Sequence, residues 1–221
     1  MKHLWAAAAT TTLLIAGTAY ADDDRRDVKA SHQLSGFDEI VVLGVYDLEI
    51  RVGERFSVRT EASRENAQHL RVGVEANRLV LDMTEKNRER YVKNDQDGAV
   101  LAIVTLPRLS SLDITGVATG DVSGIDGGDL DVSVAGVVGD LELEGRCDRL
   151  SIELAGVGEI DAEDLVCADV DATLGGVGEM DVHATRSIEA DAGGIGQVTV
   201  HGNPSGRDVD DGFMSKVRFK S

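Results

Sequence analysis

Apolar and polar residues alternate with a period of two along residues 112–201 of this chain. Runs such as Leu150–Leu154 and Met180–His183 place apolar side chains in one phase and polar side chains in the other. A strand with one buried face has this pattern, because successive side chains point to opposite sides of the strand. No 3.6-residue period accompanies it, so the pattern predicts half-buried β-strands and excludes a helical repeat.

A short glycine-bracketed segment recurs five times within the same region. Its leading glycines are separated by 20, 20, 20 and 18 residues: Gly116, Gly136, Gly156, Gly176 and Gly194. One such unit cannot bury its apolar face alone, whereas stacked units form continuous inward columns. One of these columns consists of Leu130, Leu150, Val170 and Ile188. Glycine suits the corners because it tolerates positive φ and close backbone approach. The sequence therefore predicts an all-β fold, a right-handed parallel β-helix (β-solenoid) with rungs of about 18–20 residues.

The segments before the clear repeats continue the strand pattern. Ile40–Ile50 resembles a rung that has lost one residue. Residues 56–83 contain further strand patterns, and Ala99–Leu106 is an apolar strand that ends at Pro107. The charged residues 85–97 predict a loop between these strands.

After the repeats, Gly212–Val217 resembles a degenerate sixth rung. Phe213, Phe219 and the basic residues near them suit a terminal cover, so residues 206–221 are predicted to form a C-terminal cap. Because the first rung pattern already begins at residue 40, we expect a single solenoid domain over residues 28–217.

The first 21 residues have the pattern of an export signal. Lys2 and His3 form a short positive start, and the apolar run Leu4–Ala16 is shorter than the roughly 20 residues that a membrane span needs. The segment Ala19–Ala21 then has the small-x-small pattern that signal peptidase recognises. We therefore expect cleavage after Ala21, a leader of mixed charge over residues 22–27, and a periplasmic or secreted mature protein.

The charge of the chain limits its partners. It contains 40 acidic and 22 basic residues, and its formal net charge is −18. Nucleic acids and anionic lipid surfaces repel such a chain, so no nucleic-acid partner is expected. After the signal, no stretch is apolar enough for a transmembrane segment. The only tryptophan, Trp5, lies in the signal, so the mature chain lacks the indole rings that often form sugar-binding faces.

The chain resembles the head GIN domain family of auto-transporter adhesins over about residues 30–217. The resemblance depends on Gly36–Ile40 at the start, on Leu106–Leu109 before the rungs, and on the glycine-bracketed repeats. It implies a β-helical protein of the cell envelope with an adhesive or other interaction role. The family's repeats usually carry a small polar residue between the glycines, where this chain mostly has valine. We therefore expect this corner to be more buried here.

The distribution of charge favours a non-catalytic interaction module over an enzyme. Residues 112–201 contain 20 acidic and three basic side chains, and the acids occupy the outward phase of every rung instead of converging on one cleft. No catalytic or cofactor-binding residue is predicted. The alternative is a carbohydrate-active enzyme, a polysaccharide lyase or hydrolase, in which the loop at residues 84–98 folds over one face. The partner is expected in the envelope or outside the cell, and oligomerisation stays open.

One column of the predicted stack is chemically mixed. Its members follow each second glycine by five residues and should share an outer face: Glu144, Glu163, His183 and His201. Neighbouring rungs lie about 4.8 Å apart, which is close enough for two histidines to share a metal. Zinc prefers three or four ligands, so no metal site is predicted, although the sequence leaves open whether this column binds a metal. The calcium-binding nonapeptide motif does not match, because Gly175–Asp181 places its aspartate one residue late.

The only two cysteines, Cys147 and Cys167, are one 20-residue rung apart. Each precedes the first inward residue of its next strand, Leu150 or Val170, by three positions. They should therefore occupy the same corner of adjacent coils, about 4.8 Å apart, within the range that a disulfide spans. Export to an oxidising compartment predicts that they are joined. Two free buried thiols, or a metal pair without further ligands, are the alternatives.

Overall fold

The computed structural model describes residues 28–83 and 98–220. The predicted signal and the charged loop at residues 85–97 lie outside this part of the chain. The elements are β1 (Val28–His32), β2 (Glu39–Leu43), β3 (Val45–Val52), β4 (Ser57–Ala62), α1 (Arg64–Ala67), β5 (Leu70–Glu75), β6 (Arg78–Met83), β7 (Val100–Leu106), β8 (Ser111–Ile114), β9 (Val117–Asp126), β10 (Asp129–Val134), β11 (Val137–Leu154), β12 (Val157–Leu174), β13 (Val177–Ala192), β14 (Ile195–His201), β15 (Gly206–Asp211) and β16 (Met214–Lys220).

The strands form a parallel β-solenoid of about six turns, which confirms the predicted fold. From β8 onward, each turn contributes to two long stacks. Stack A contains β8, β10, the C-terminal halves of β11, β12 and β13, and β15. Stack B contains β9, the N-terminal halves of β11, β12 and β13, then β14 and β16. No helix among the described residues has the length and apolar character needed to cross a membrane.

The core consists of the inward columns that the repeat predicts. Leu130, Leu150, Val170 and Ile188 are aligned from strand to strand. All four are buried. Each buried aliphatic side chain stabilises the fold by roughly 1.5–3 kcal/mol relative to an exposed one, which explains why single rungs need their neighbours.

The N-terminal coil, formed by β2 and β3, lies inside the stack. β2 pairs in parallel with β6 on one side and with β8 on the other. β3 pairs in the same way with β7 and β9. The chain therefore leaves this coil, builds β4, α1 and β5, and returns to both of its edges. The rung predicted at Ile40–Ile50 is confirmed, and β1, β4 and β5 pair antiparallel at this end of the solenoid.

The C-terminal rung is aligned with the rung before it. β16 pairs with β14 from Met214 to Lys220, as expected for a degenerate sixth rung. On β15, the inward column that begins at Leu130 ends at Arg207, and the column that contains Leu174 ends at Asp211. The apolar core therefore gives way to charged side chains in the last strand of stack A.

Candidate interaction surface

The two cysteines occupy equivalent positions in adjacent coils. Cys147 and Cys167 are paired in register between β11 and β12. Their Cα atoms lie 4.5 Å apart, and the two residues form a disulfide, as the 20-residue spacing predicts. Both side chains are buried. The disulfide therefore joins two rungs inside the corner and is a structural element.

A ladder of exposed aliphatic side chains runs along another corner of the solenoid. Its members are aligned by parallel strand pairing: Val117, Val137, Val157, Val177, Ile195 and Met214. Their exposed fractions range from 41% to 59%, which is high for aliphatic residues in regular strands. The expectation that valine would make this corner more buried is therefore wrong. We call these six residues the aliphatic ladder.

The period-two pattern explains why the ladder faces outward. From Leu154 to Ile160 the inward phase falls on Gly156 and Gly158, and the outward phase on Val157. A Cβ on Gly156 would overlap the carbonyl oxygen of Gly136, so the inward position before the ladder residue accepts only glycine. The period-two count alone already places valine in the outward phase, so the signal for the ladder is present in the sequence.

Acidic side chains flank the ladder on both sides. Glu159 and Glu179 are aligned two residues after the ladder positions of their rungs and are exposed. Glu153 and Asp191 are exposed in the strands that precede the corner. The outward position two residues before the ladder residue holds Thr115 in the first rung and alanine or glycine in the next four: Ala135, Ala155, Gly175 and Gly193. Since these neighbours are small, the aliphatic ladder forms a ridge between two acidic faces.

A second column, on stack B, brings carboxylates into register in successive rungs. It consists of Glu49, Asp121, Glu142, Asp161 and Asp181. The negative charge of Asp121, with smaller effects of Asp140 and other neighbours, raises the pKa of Glu142 above its ordinary value. Like charges at rung spacing repel each other, because strands lie only about 4.8 Å apart. This outer face is therefore under electrostatic strain at neutral pH.

The mixed histidine column is only partly as predicted. His183 and His201 are paired in register, but β11 and β12 shift register at Glu144, and β12 and β13 shift register at Glu163, so neither glutamate is aligned with the next member of the column. His201 is 5% exposed, so the prediction of an exposed outer face is wrong for this residue. Its Nδ1 lies 3.1 Å from Oε1 of Glu163, and its Nε2 lies 2.9 Å from Oδ1 of Asp181. The two carboxylates thus bind different ring nitrogens, and both nitrogens donate only when the ring is an imidazolium.

This arrangement does not converge on one metal position. Nδ1 of His183 lies 3.0 Å from the backbone oxygen of Glu163 and is also engaged. Within residues 28–83 and 98–220, no three His, Cys, Asp or Glu side chains are grouped to hold a metal ion. The geometry favours a hydrogen-bonded network that fixes the corner after β14.

A shallow depression of about 500 Å³ lies on the outer face of stack A. Asp169 at its edge accepts hydrogen bonds from Nε of Arg186 at 2.8 Å and from Oγ of Ser187 at 2.6 Å. Arg186 and Ser187 hold the pKa of Asp169 well below its ordinary value. A general acid for glycoside cleavage needs a raised pKa, so this carboxylate is unsuited to that role.

Comparison with known proteins agrees with the fold. Residues 36–204 match the family described as "Putative auto-transporter adhesin, head GIN domain". No curated protein is significantly similar to the chain. A crystal structure of a "putative adhesin" from Bacteroides fragilis is 19% identical, with a TM-score of 0.67, and the match covers 87% of this chain and 96% of that one.

A second solved structure has the same architecture. It is a "putative adhesin" from Parabacteroides merdae, which is 16% identical, with a TM-score of 0.50 and coverage of 88% of this chain and 96% of that one. At these identities the likeness concerns the fold alone. The family match, by contrast, includes every rung from β2 to β14. The chain therefore belongs to the head GIN domain family.

Proposed function

We propose that this protein is an exported, non-catalytic interaction module of the cell envelope, which binds its partner through the aliphatic ladder. The observation that supports this most is the exposure of six aligned aliphatic side chains, from Val117 to Met214, with exposed carboxylates such as Glu153 and Glu159 beside them. Contiguous apolar patches on a soluble protein usually mark an interaction site. The family's adhesin name is consistent with an extracellular partner.

The shape and charge of the ladder define the partner's surface. Five steps of about 4.8 Å make the ladder about 24 Å long, which is comparable to a strand of seven residues. The flanking residues Glu159 and Glu179 on one side and Glu153 on the other favour basic groups beside the contact. We therefore propose a protein partner with an apolar strip between basic side chains. Such a partner buries the ladder and neutralises its edges together.

The recurrence of valine at the ladder positions also has a structural explanation that involves no ligand. Aligned β-branched side chains stabilise neighbouring strands by roughly 0.2–1 kcal/mol per pair, whatever else they contact. Substitution of valine by threonine keeps the branched shape and removes the apolar surface. The variant V137T/V157T/V177T therefore separates binding from folding.

The binding test compares the exported protein with this variant on envelope fractions of the producing organism. Wild-type protein should bind saturably, and V137T/V157T/V177T should bind at least about tenfold more weakly while keeping its melting temperature within a few degrees. Thr105→Val, which makes the reverse exchange on β7 away from the ladder, is the matched control and should bind like the wild type. Equal binding by all three proteins would overturn the ladder as the contact surface.

The enzyme alternative requires turnover of a polysaccharide. The same preparation should release no reducing ends and no unsaturated products from a panel of acidic and neutral polysaccharides. Depolymerisation by wild-type protein, at a rate that follows its concentration, would replace the proposed function with a lyase or hydrolase activity. The outer-face depression beside Asp169 would then be the first place to substitute.

Export is part of the proposal. The pattern at Ala19–Ala21 favours a mature protein that begins at Asp22. Intact-mass measurement of protein recovered from the periplasm or the medium should give this N-terminus. A chain that retains Met1 would contradict both the cleavage and the periplasmic or secreted location.

A further inference from the structure

Within residues 28–83 and 98–220, the last rung of the solenoid has two open strand edges. Among the described residues, β15 pairs only with β13, and β16 pairs only with β14. Open edges present backbone donors and acceptors that can add a strand. The N–H of Val217 on β16 donates to a side chain, the carboxylate of Asp211, at 2.7 Å. Both strands follow the family match, which ends at residue 204.

The two edges carry opposite charges. The outward side chains of β15 include Asp208 and Asp210, which continue the phase of Glu189 and Asp191. Those of β16 include Lys216 and Arg218, which continue the phase of Gln197 and Thr199. All four terminal side chains are exposed. One end of the solenoid therefore has an acidic strand beside a basic one.

Apolar side chains at the same end are exposed. Val209 is 37% exposed and Phe219 39% exposed, although both lie in the inward phase of their strands. Met214, the last member of the aliphatic ladder, is 59% exposed. The guanidinium of Arg207 lies 4.1 Å from the ring centre of Phe219 and covers only one side of it. The end of the core is thus apolar in part, and the part of the chain that the structure describes leaves it exposed.

We propose that two copies of this chain associate end to end through these edges. In this dimer β15 of each copy pairs antiparallel with β16 of the other, about a two-fold axis parallel to the strands. The register is set by pairing the outward-facing residues of β15 with the outward-facing residues of β16. It places Asp208 beside Arg218 of the second copy and Asp210 beside Lys216. The same register places Val209 against Val217 in the inward phase. Each contact occurs twice, so the dimer is closed.

Charge decides between this arrangement and the others. A two-fold axis perpendicular to the strands would pair β15 with β15 and β16 with β16. It would then oppose acid with acid and base with base. Stacking of the C-terminal end on the β4–β5 end would give open-ended fibres instead of dimers. Only the crossed pairing brings opposite charges together at both seams.

The test uses two charge-reversal variants of the exported protein in sedimentation equilibrium. K216E/R218E makes both edges acidic, and D208K/D210K makes both edges basic. Each variant alone should dissociate with a Kd increased by roughly tenfold or more, because four attractive pairs become repulsive. An equimolar mixture should restore the dimer, since every seam of the mixed dimer joins an acidic edge to a basic one.

The mixture also controls for folding, because a misfolded variant cannot restore association. Raising the salt concentration should weaken the wild-type dimer, as expected for exposed charge pairs. A wild-type protein that stays monomeric at all concentrations would overturn the proposal, and the charged edges would then serve to block strand addition. Unchanged dimers of either variant, or growth beyond the dimer, would overturn it as well. These outcomes do not depend on envelope binding.

Discussion

The carbonyl oxygen of Gly156 lies where a Cβ atom on Gly176 would have to be. The two residues occupy the same corner of adjacent rungs, and the coils approach each other there more closely than any side chain allows. Gly175, the preceding residue, points outward, and an added Cβ would meet nothing within 4 Å. Gly176 therefore has no room for a side chain, whereas its neighbour Gly175 does.

This contrast predicts opposite results for adjacent substitutions. Gly176→Ala should lower the free energy of unfolding by roughly 2 kcal/mol or more, because the backbone of β12 or β13 must move. Gly175→Ala should change it by less than about 1 kcal/mol. Chemical denaturation of both variants measures the difference. Similar losses at both positions would show that the corner does not depend on close coil contact.

The disulfide should stabilise the fold mainly by restricting the unfolded chain. Its two cysteines are 20 residues apart in the sequence, and closure of such a loop stabilises by roughly 3 kcal/mol. C147A/C167A should lose about this amount and should no longer respond to reductant. Thiol titration of denatured, unreduced protein from the periplasm should find no free thiol. Two free thiols per chain would contradict the disulfide.

The carboxylate column of stack B makes Glu142→Gln a stabilising substitution at neutral pH. The folded-state pKa of Glu142 is raised by Asp121 and its other acidic neighbours, so the ionised form is unfavourable in the folded protein. Removal of this charge should raise the melting temperature. Glu153→Gln is the matched control, because Glu153 is aligned with Ser133 and Thr173 and has no acidic partner in register.

The pH dependence of this effect has a definite sign. A carboxyl group whose pKa is higher in the folded than in the unfolded state destabilises the fold when ionised, and this penalty disappears as the pH falls through the raised pKa. The advantage of Glu142→Gln over wild type should therefore shrink as the pH falls from neutrality through the raised pKa of Glu142. Added salt should shrink it too, by screening. A gain in melting temperature from Glu142→Gln that depends on neither pH nor salt would exclude charge repulsion as its cause.

The repeat period made much of the fold predictable. A parallel solenoid keeps its register from rung to rung, so residues 20 apart in the sequence become neighbours in space. Cys147 and Cys167, and likewise Leu150 and Val170, are adjacent for this reason. The same argument does not extend to β2 and β3, which lie between two coils that are distant in the sequence. Rung-like patterning shows that a segment stacks, but not where in the stack it lies.

The candidate surface was harder to predict because its significance depends on exposure. Val157 and Val177 are apolar residues in strands, and burial is the usual outcome for such residues. Their exposure follows from the glycines on either side, which take the inward phase because the coils meet there. The opposite charges of Asp208 and Arg218 were visible in the sequence, but their place on two open edges depends on the strand order.

The central claim is that the aliphatic ladder contacts the partner, and photocrosslinking from defined positions tests it most directly. A p-benzoylphenylalanine residue in place of Val157 should yield a discrete cross-linked product on the envelope of the producing organism. The same residue in place of Asp171 on stack A, or of Glu142 on stack B, should yield none, since these positions lie farther from the ladder along their strands than Glu153 and Glu159, which border it. Equal products from all three positions, or none from position 157 with protein that binds, would contradict the account.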